Sequence, residues 1–229
     1  VRSRDFGVRR RRNYDGRVLL TIDTSAGTAV AVVDPDAHAV LAERSTEDTR
    51  RHAEVIGPFL ADVLVEAGIG PEHVTGVVVG MGPGPFTGLR VGIAAARTFA
   101  VARGVPVLPL VSHDAVAADA ADGEPLVVVT DARRREVYWT AYGAAADAAD
   151  AHRPSRTSGP GLARPDELDA VLGDAAGWRR VVAATIPAGR LGLVAADRLA
   201  SGAPFADDTP LYLRDPDVTM PGAPKRVRS

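Results

Sequence analysis

The stretch 80–104, GMGPGPFTGLRVGIAAARTFAVARG, decides how the rest of the chain is read. An apolar run, Val77-Val78-Val79, leads straight into Gly80. Three glycines and two prolines stand between Gly80 and Pro85, so the loop has a narrowly prescribed backbone path. A helical pattern follows over Thr87–Arg103. Small residues recur at every fourth position, Gly88, Gly92, Ala96 and Ala100, and positions four apart lie along one ridge of a helix. Such a ridge is nearly flat and lets a neighbouring element come close. Leu89, Val91, Ile93 and Val101 supply apolar area beside it, and Arg90 and Arg97 share a face. Two glycines inside a helix cost about 1 kcal/mol each relative to alanine, so close packing is the reason to expect for them. Periodicity alone leaves two neighbours open: a helix of another subunit, or the chain's own sheet.

Outward from this stretch, the first half alternates strands and helices. Residues 17–23 (RVLLTID), 28–33 (TAVAVV) and 39–45 read as three strands joined by short turns, an antiparallel meander. Residues 51–67 read as a helix, with Val55, Ile56, Phe59, Leu60, Val63 and Leu64 on one face and Gly68 as its stop. Residues 75–80 form the next strand, 105–110 another, and Ser112 is expected to cap a helix through about Ala121. The second half reads as a shortened copy. Strands fall at 126–130 and 136–142, a loop at 143–160, a short helix at 165–172, a strand at 180–184, a helix at 191–200 and a last segment at 210–214. Strand–helix–strand crossovers of this length imply parallel pairing. The domain reading is a basic extension over 1–16, a first subdomain over 17–122, a shortened second over 123–215, and a flexible tail over 216–229.

The 229 residues contain no cysteine, which excludes disulfides and thiolate chemistry. No apolar run reaches the roughly 18 residues of a membrane helix, and a cytoplasmic home with no membrane partner is expected. The net charge of −2 is unevenly spread. Residues 1–17 carry +5 and residues 221–229 carry +3, which leaves −10 for residues 18–220. An acidic body repels phosphate backbones, so nucleic acid is not expected to bind this body unaided. The arginines at 9–12 do not open an export signal, because the apolar stretch Val18–Ile22 ends at Asp23.

No catalytic set emerges. The Gly/Pro loop lacks the Gly-Lys-Ser/Thr ending of a P-loop and the third glycine of a dinucleotide fingerprint, and Pro83 and Pro85 remove two N–H donors that a phosphate cradle uses. Asp23-Thr24-Ser25 stands at a strand end, where actin-like kinases place a metal- and phosphate-handling Asp; turn chemistry explains the same residues. The histidines at 38, 52, 73, 113 and 152 are never three to five apart, so no helical metal pair exists and no metal site is expected. His52 reads as a surface or interface residue. Ser112-His113-Asp114 are neighbours in sequence and cannot form a triad. Arg133-Arg134-Arg135 reads as a hairpin tip, with an anion or partner contact as the alternative.

LLTIDTSAGTAVAVV, the His52-Ala53-Glu54 helix opening, GVVVGMGPGPFTGLRVGIAAARTFA, DARRREVYW and PLYLR together resemble the TsaB (YeaZ) family, in order, over residues 17–215. The resemblance implies an α/β, actin-like (ribonuclease-H-like) duplicated fold with a shortened second half. It implies a non-catalytic paralogue that supports a TsaD-like transferase, with a TsaE-like ATPase joining. The product would be N6-threonylcarbamoyladenosine on tRNAs reading codons that begin with A. tRNA would be reached only through the complex, and a homodimer would form when the chain is alone. Pairing through the first two helices would place His52, Val55, Ile56, Phe59, Gly88, Arg90, Gly92, Ala96 and Ala100 in the interface. No cofactor of its own is expected, with ATP or ADP at or near that interface and Asp23, Thr24 and Ser25 closest to it. The rival readings are an actin-like ATPase or kinase, and a peptidase of the related glycoprotease family. The basic residues 1–16 and the Ala/Asp-rich stretch 144–160 depart from the family pattern.

Overall fold

The computed structural model describes residues 16–144 and 154–214. Nearly all of the basic extension, the centre of the 144–160 stretch with His152, and the tail from 215 lie outside the described residues. β1 (Leu19–Asp23), β2 (Thr28–Asp34), β3 (Ala39–Thr46), α1 (His52–Ala67), β4 (Gly76–Gly80), α2 (Phe86–Arg103), β5 (Val107–Leu110) and α3 (Ser112–Ala120) make the first half. β6 (Leu126–Asp131), β7 (Val137–Tyr142), β8 (Arg156–Ala163), α4 (Leu168–Leu172), β9 (Arg179–Ala183) and α5 (Ala188–Ser201) make the second. The first sheet has the order β3-β2-β1-β4-β5 and the second β8-β7-β6-β9. In each half the first strand pairs antiparallel with the second and parallel with the last strand that the halves share: β1 with β2 and β4, β6 with β7 and β9. That repeated register is the duplicated actin-like plan.

The strands form where β-branched residues run together, and β1 and β4 are buried along their whole length. Leu20, Ile22, Val30, Val32, Val77 and Val79 on one face of the first sheet pack against α1 and α2 through Ile56, Val63, Leu89 and Ile93. The opposite face, with Leu19, Val33 and Val78, shares a second core with Leu191 and Ala195 of α5, Ala115 of α3, and Leu126 and Val128 of β6. The order of layers is therefore α1/α2, first sheet, α3/α5, second sheet, α4. A third core with Trp139, Leu168 and Leu172 closes the far side. α1 and α2 both end on a left-handed glycine, Gly68 and Gly104, as their sequences indicate.

Two expectations need correction. The loop expected at 143–160 contains the start of β8, and β8 (RTSGPGLA) is mostly exposed. It is held by backbone pairing to β7 rather than by an apolar pattern. Ser112 does not cap α3: the N-cap position is Val111, and the Ser112 side chain turns back into the first half.

Candidate functional site

The turn after β1 and the loop after β4 meet, and this contact is where the chemistry of an actin-like enzyme would be sought. Asp23, Thr24 and Ser25 are all buried. Asp23 Oδ1 accepts from the Ser25 amide (2.8 Å) and the Ser25 hydroxyl (2.7 Å), and Oδ2 accepts from Ser112 Oγ (2.5 Å). Ser112 Oγ in turn accepts from the Gly82 amide (3.1 Å), and the Ser112 amide donates to the Gly82 carbonyl (2.8 Å). One serine thus clasps the Gly/Pro loop to the carboxylate. Burial raises the Asp23 pKa, against the lowering effect of the Ser112 and Ser25 hydrogen bonds. The loop lies so close that a Cβ on Gly84 would stand 2.8 Å from Ser25 Cα, and one on Gly80 would overlap the Asp23 carboxylate. The carboxylate is buried, with its hydrogen bonds drawn from its own chain. Asp23, Thr24 and Ser25, expected nearest to a nucleotide, stand together in this buried turn.

The flat ridge of α2 faces the same turn. Thr24 Oγ1 donates to the Gly88 carbonyl (2.7 Å) and accepts from the Gly92 amide (3.0 Å). The hydroxyl bridges the two groups that one helical turn would otherwise pair. A Cβ on Gly88 would come within 2.7 Å of the Thr24 carbonyl oxygen, and one on Gly92 would overlap the Thr24 hydroxyl. Ala96 and Ala100 are buried in the core below. Of the two neighbours left open by the sequence, the chain's own β1 turn is the one that meets the ridge. Gly88, Gly92, Ala96 and Ala100 are therefore not surface residues, and their assignment to a subunit interface is corrected. His52 is also buried. Its Nδ1 shares a hydrogen bond with Thr28 Oγ1 (2.8 Å), and desolvation, then the charge of Arg133, lowers its pKa. Ile56 lies in the core, Val55 and Phe59 are half-buried, and Arg90 is exposed, its guanidinium 3.5 Å above the Phe86 ring.

The outer faces of the two helices carry small and apolar residues instead. Ala53, Gly57, Ala61 and Val65 of α1, and Ala94, Thr98 and Val101 of α2, are exposed; Val65 is 75% and Val101 83% exposed. Among the described residues these are two of the three most exposed large apolar side chains, and the third is Val182 on β9.

The remaining titratable residues of the sequence analysis sit in structural roles. His113 is fully buried between Thr140 Oγ1 (2.8 Å) and Thr130 Oγ1 (2.9 Å), and burial lowers its pKa to about 3. Asp114 accepts from Tyr142 (2.8 Å) and pairs with Arg156 and Arg198 beside a cavity of about 690 Å³. The sequence offers Asp114 only as a neighbour of Ser112 and His113; its partners, 28 to 84 positions away, reveal its place. Among the described residues no group of three His, Cys, Asp or Glu is placed to hold a metal ion. Arg133, Arg134 and Arg135 do form the hairpin tip between β6 and β7, all at positive φ (62°, 54° and 63°). Non-glycine residues held there cost on the order of 1–2 kcal/mol each.

Fold and site define an actin-like protein in which the turn after β1 is buried under the loop after β4. Residues 39–154 match the model of the family described as TsaD: tRNA N6-adenosine threonylcarbamoyltransferase. An uncharacterized protein of Mycobacterium tuberculosis is 39% identical over 125 residues, 54% of this chain and 58% of the relative. A tRNA N6-adenosine threonylcarbamoyltransferase of Streptococcus pneumoniae is 42% identical over 62 residues, 27% of this chain and 18% of that protein. The match thus spans 58% of the length of the mycobacterial relative. The solved structure of YeaZ from Pseudomonas aeruginosa superposes with a TM-score of 0.67 at 25% identity, covering 86% of this chain and all of the other. The chain belongs to this tRNA-modification family, and within it to the TsaB (YeaZ) branch. Among the described residues no helix is long and apolar enough to cross a membrane.

Proposed function

We propose that the chain is a non-catalytic partner subunit. It supports a TsaD-like transferase in forming N6-threonylcarbamoyladenosine on tRNAs reading codons that begin with A, with a TsaE-like ATPase joining the pair. The observation that carries the reading is the closed turn. Asp23 is buried and held by Ser25 and Ser112 under a loop that comes so close that only glycine fits at positions 80 and 84. A side chain so enclosed cannot reach a nucleotide or substrate, which also counts against an ATPase or kinase. The chain then acts by shape, through the outer face of α1 and α2 around Val65 and Val101. Gly57, Ala61 and Ala94 on that face let a facing helix approach closely. In the same reading the chain pairs with itself when alone, and ATP or ADP belongs to the shared interface rather than to the Asp23 turn.

The test joins pairing to activity. The chain alone is expected to modify no tRNA and to co-elute with a TsaD-like subunit on gel filtration, with modification requiring both. The double change Val65→Asp and Val101→Asp is expected to weaken pairing at least tenfold while the melting temperature moves by less than about 4 °C, since both side chains are already exposed. Modification by the chain alone, or unaltered pairing of the double variant, would remove this reading.

A further inference from the structure

We propose that the crevice between the Gly/Pro loop and the Arg133–Arg135 turn is a contact for a single-stranded stretch of RNA. The identity of that RNA as tRNA rests on the function proposed above. A cavity of about 340 Å³ opens here, lined by Phe86, Thr87, Arg133, Tyr138, Tyr212 and Arg214. Its residues come from the N-terminal end of α2, the β6–β7 hairpin and the segment after α5, so three remote parts of the chain converge on it. Phe86 and Tyr212 stack with centroids 4.6 Å apart at 42°. Arg90 lies 3.5 Å above the Phe86 ring, and its Nε reaches the Tyr212 hydroxyl at 3.4 Å. Aromatic faces beside guanidinium groups are the surface on which unstacked bases and their phosphates are held.

Charge points the same way. Residues 18–220 carry −10, yet Arg133 and Arg214 line this crevice, Arg90 sits on its Phe86 wall, and Arg134 and Arg135 follow Arg133 in the exposed hairpin tip. Two carboxylates stand beside them: Glu136 pairs with Arg214 and offsets its charge, and Asp131 accepts from the Arg133 amide (3.1 Å) and keeps its own, so the arginines outnumber the acids. A basic spot on an acidic body attracts a phosphate chain locally and orients it, where the body as a whole would repel it.

The turn itself supports a selected role. Three successive residues adopt the left-handed conformation that glycine or asparagine takes without strain, and all three are exposed arginines. Arg133 is fixed across the two halves by its bond to Thr49 Oγ1 (3.0 Å). A strained exposed turn that keeps three guanidinium groups suits a function that uses those groups. A strand of RNA fits better than a free nucleotide. The arginines 133–135 stand on an exposed rim rather than in an enclosed pocket, and Pro83 and Pro85 in the adjoining loop offer no N–H to a phosphate.

The experiment measures binding of labelled tRNA to the full chain at low salt by fluorescence anisotropy, with unlabelled tRNA, a single-stranded oligonucleotide and AMP as competitors. Binding is expected to be displaced by both polymers and not by millimolar AMP. Arg134→Glu with Arg135→Glu should weaken it at least tenfold and lower the log–log salt slope by about one to two, as loss of two phosphate contacts predicts. Arg179→Glu with Arg180→Glu makes the same change of net charge at the opposite end of β6 and should leave affinity within twofold. Absence of tRNA binding, equal loss in both double variants, or displacement by AMP overturns the proposal. Pairing of the Arg134→Glu, Arg135→Glu chain with a TsaD-like subunit, measured in parallel, should be unchanged. Failure of pairing by the unaltered chain would count against the proposed function alone, since RNA binding is read without the partner.

Discussion

β4 and β9 hold the same place in the two halves, each pairing in parallel with the first strand of its sheet. β4 is flanked by β5 on its other side and is buried throughout, whereas β9 is an edge strand whose Val182 is 79% exposed. The difference continues in the helices. α1 and α2 run 16 and 18 residues over the first sheet, while α4 has 5 residues. α5 packs on β1, β2 and β3, the sheet of the other half. One sheet is thus covered on both faces by glycine-bearing helices. α2 approaches through Gly88 and Gly92, and α5 through Gly192, where a Cβ would lie 2.5 Å from Val33 Cγ2 and 2.7 Å from Thr21 Oγ1. Shortening one copy of a duplicated unit is tolerable when its remaining helix completes the core of the other copy.

The largest expected effect comes from widening either helix contact. Gly92→Leu should overpack the Thr24 turn and break its hydroxyl bridge, costing about 3 kcal/mol or more, a fall in melting temperature of roughly 6–12 °C for a chain of this size. The subunit alone should show it, since the ridge faces inward. Gly192→Leu should cost somewhat less, because it meets the Val33 and Thr21 side chains and breaks no hydroxyl bridge to the helix backbone. A thermal melt in which Gly92→Leu is as stable as the parent would break the account of the first sheet's packing.

An intermediate effect tests the joint between the halves, where α3 carries His113 into the second sheet. Burial lowers its folded pKa to about 3, below the ordinary histidine value of 6.5. The folded state therefore favours the neutral ring. The stability it contributes is complete above about pH 6.5 and is lost as pH falls toward 3, by up to about 1.4 kcal/mol per unit. Buried Asp23 and Asp114, whose pKa values are raised, act in the opposite direction. The informative quantity is therefore the difference between parent and His113→Gln in denaturant midpoint at pH 7 and pH 5. His113→Gln should narrow the loss on acidification, and parallel pH profiles would show that the ring takes up its proton equally in the folded and unfolded chain.

The smallest effect sharpens the strand comparison. Val78→Thr on β4 buries a hydroxyl in the central core and should cost about 1–3 kcal/mol. Val182→Thr on β9 should stay within about 0.5 kcal/mol. Equal losses in urea unfolding would mean that the edge of β9 is covered.

Most elements were legible in the sequence because their signals are local. Runs such as Leu19–Ile22 and Val77–Val79 have no reading but buried strand, Gly68 stops α1 where expected, and α2 ends at Arg103 as its pattern does. β8 was not legible. An exposed edge strand shows no apolar alternation, and its position comes from the partner strand's backbone. His52 was misplaced for a related reason: a residue at a helix start can turn inward only if something stands behind it, and Thr28 does so from 24 residues away.

The sequence by itself determined that α2 must be approached closely, because small residues at every fourth position make a flat ridge in any helix. It also determined the family, through GPGPFTGLR and its neighbouring runs. Only the tertiary structure decided what makes that approach. Thr24 and Gly88 lie 64 positions apart, and Asp23 and Ser112 lie 89 apart. Which hydroxyl meets which backbone is set by the parallel register of β1 and β4, and that register brings the loop down onto the turn and closes it.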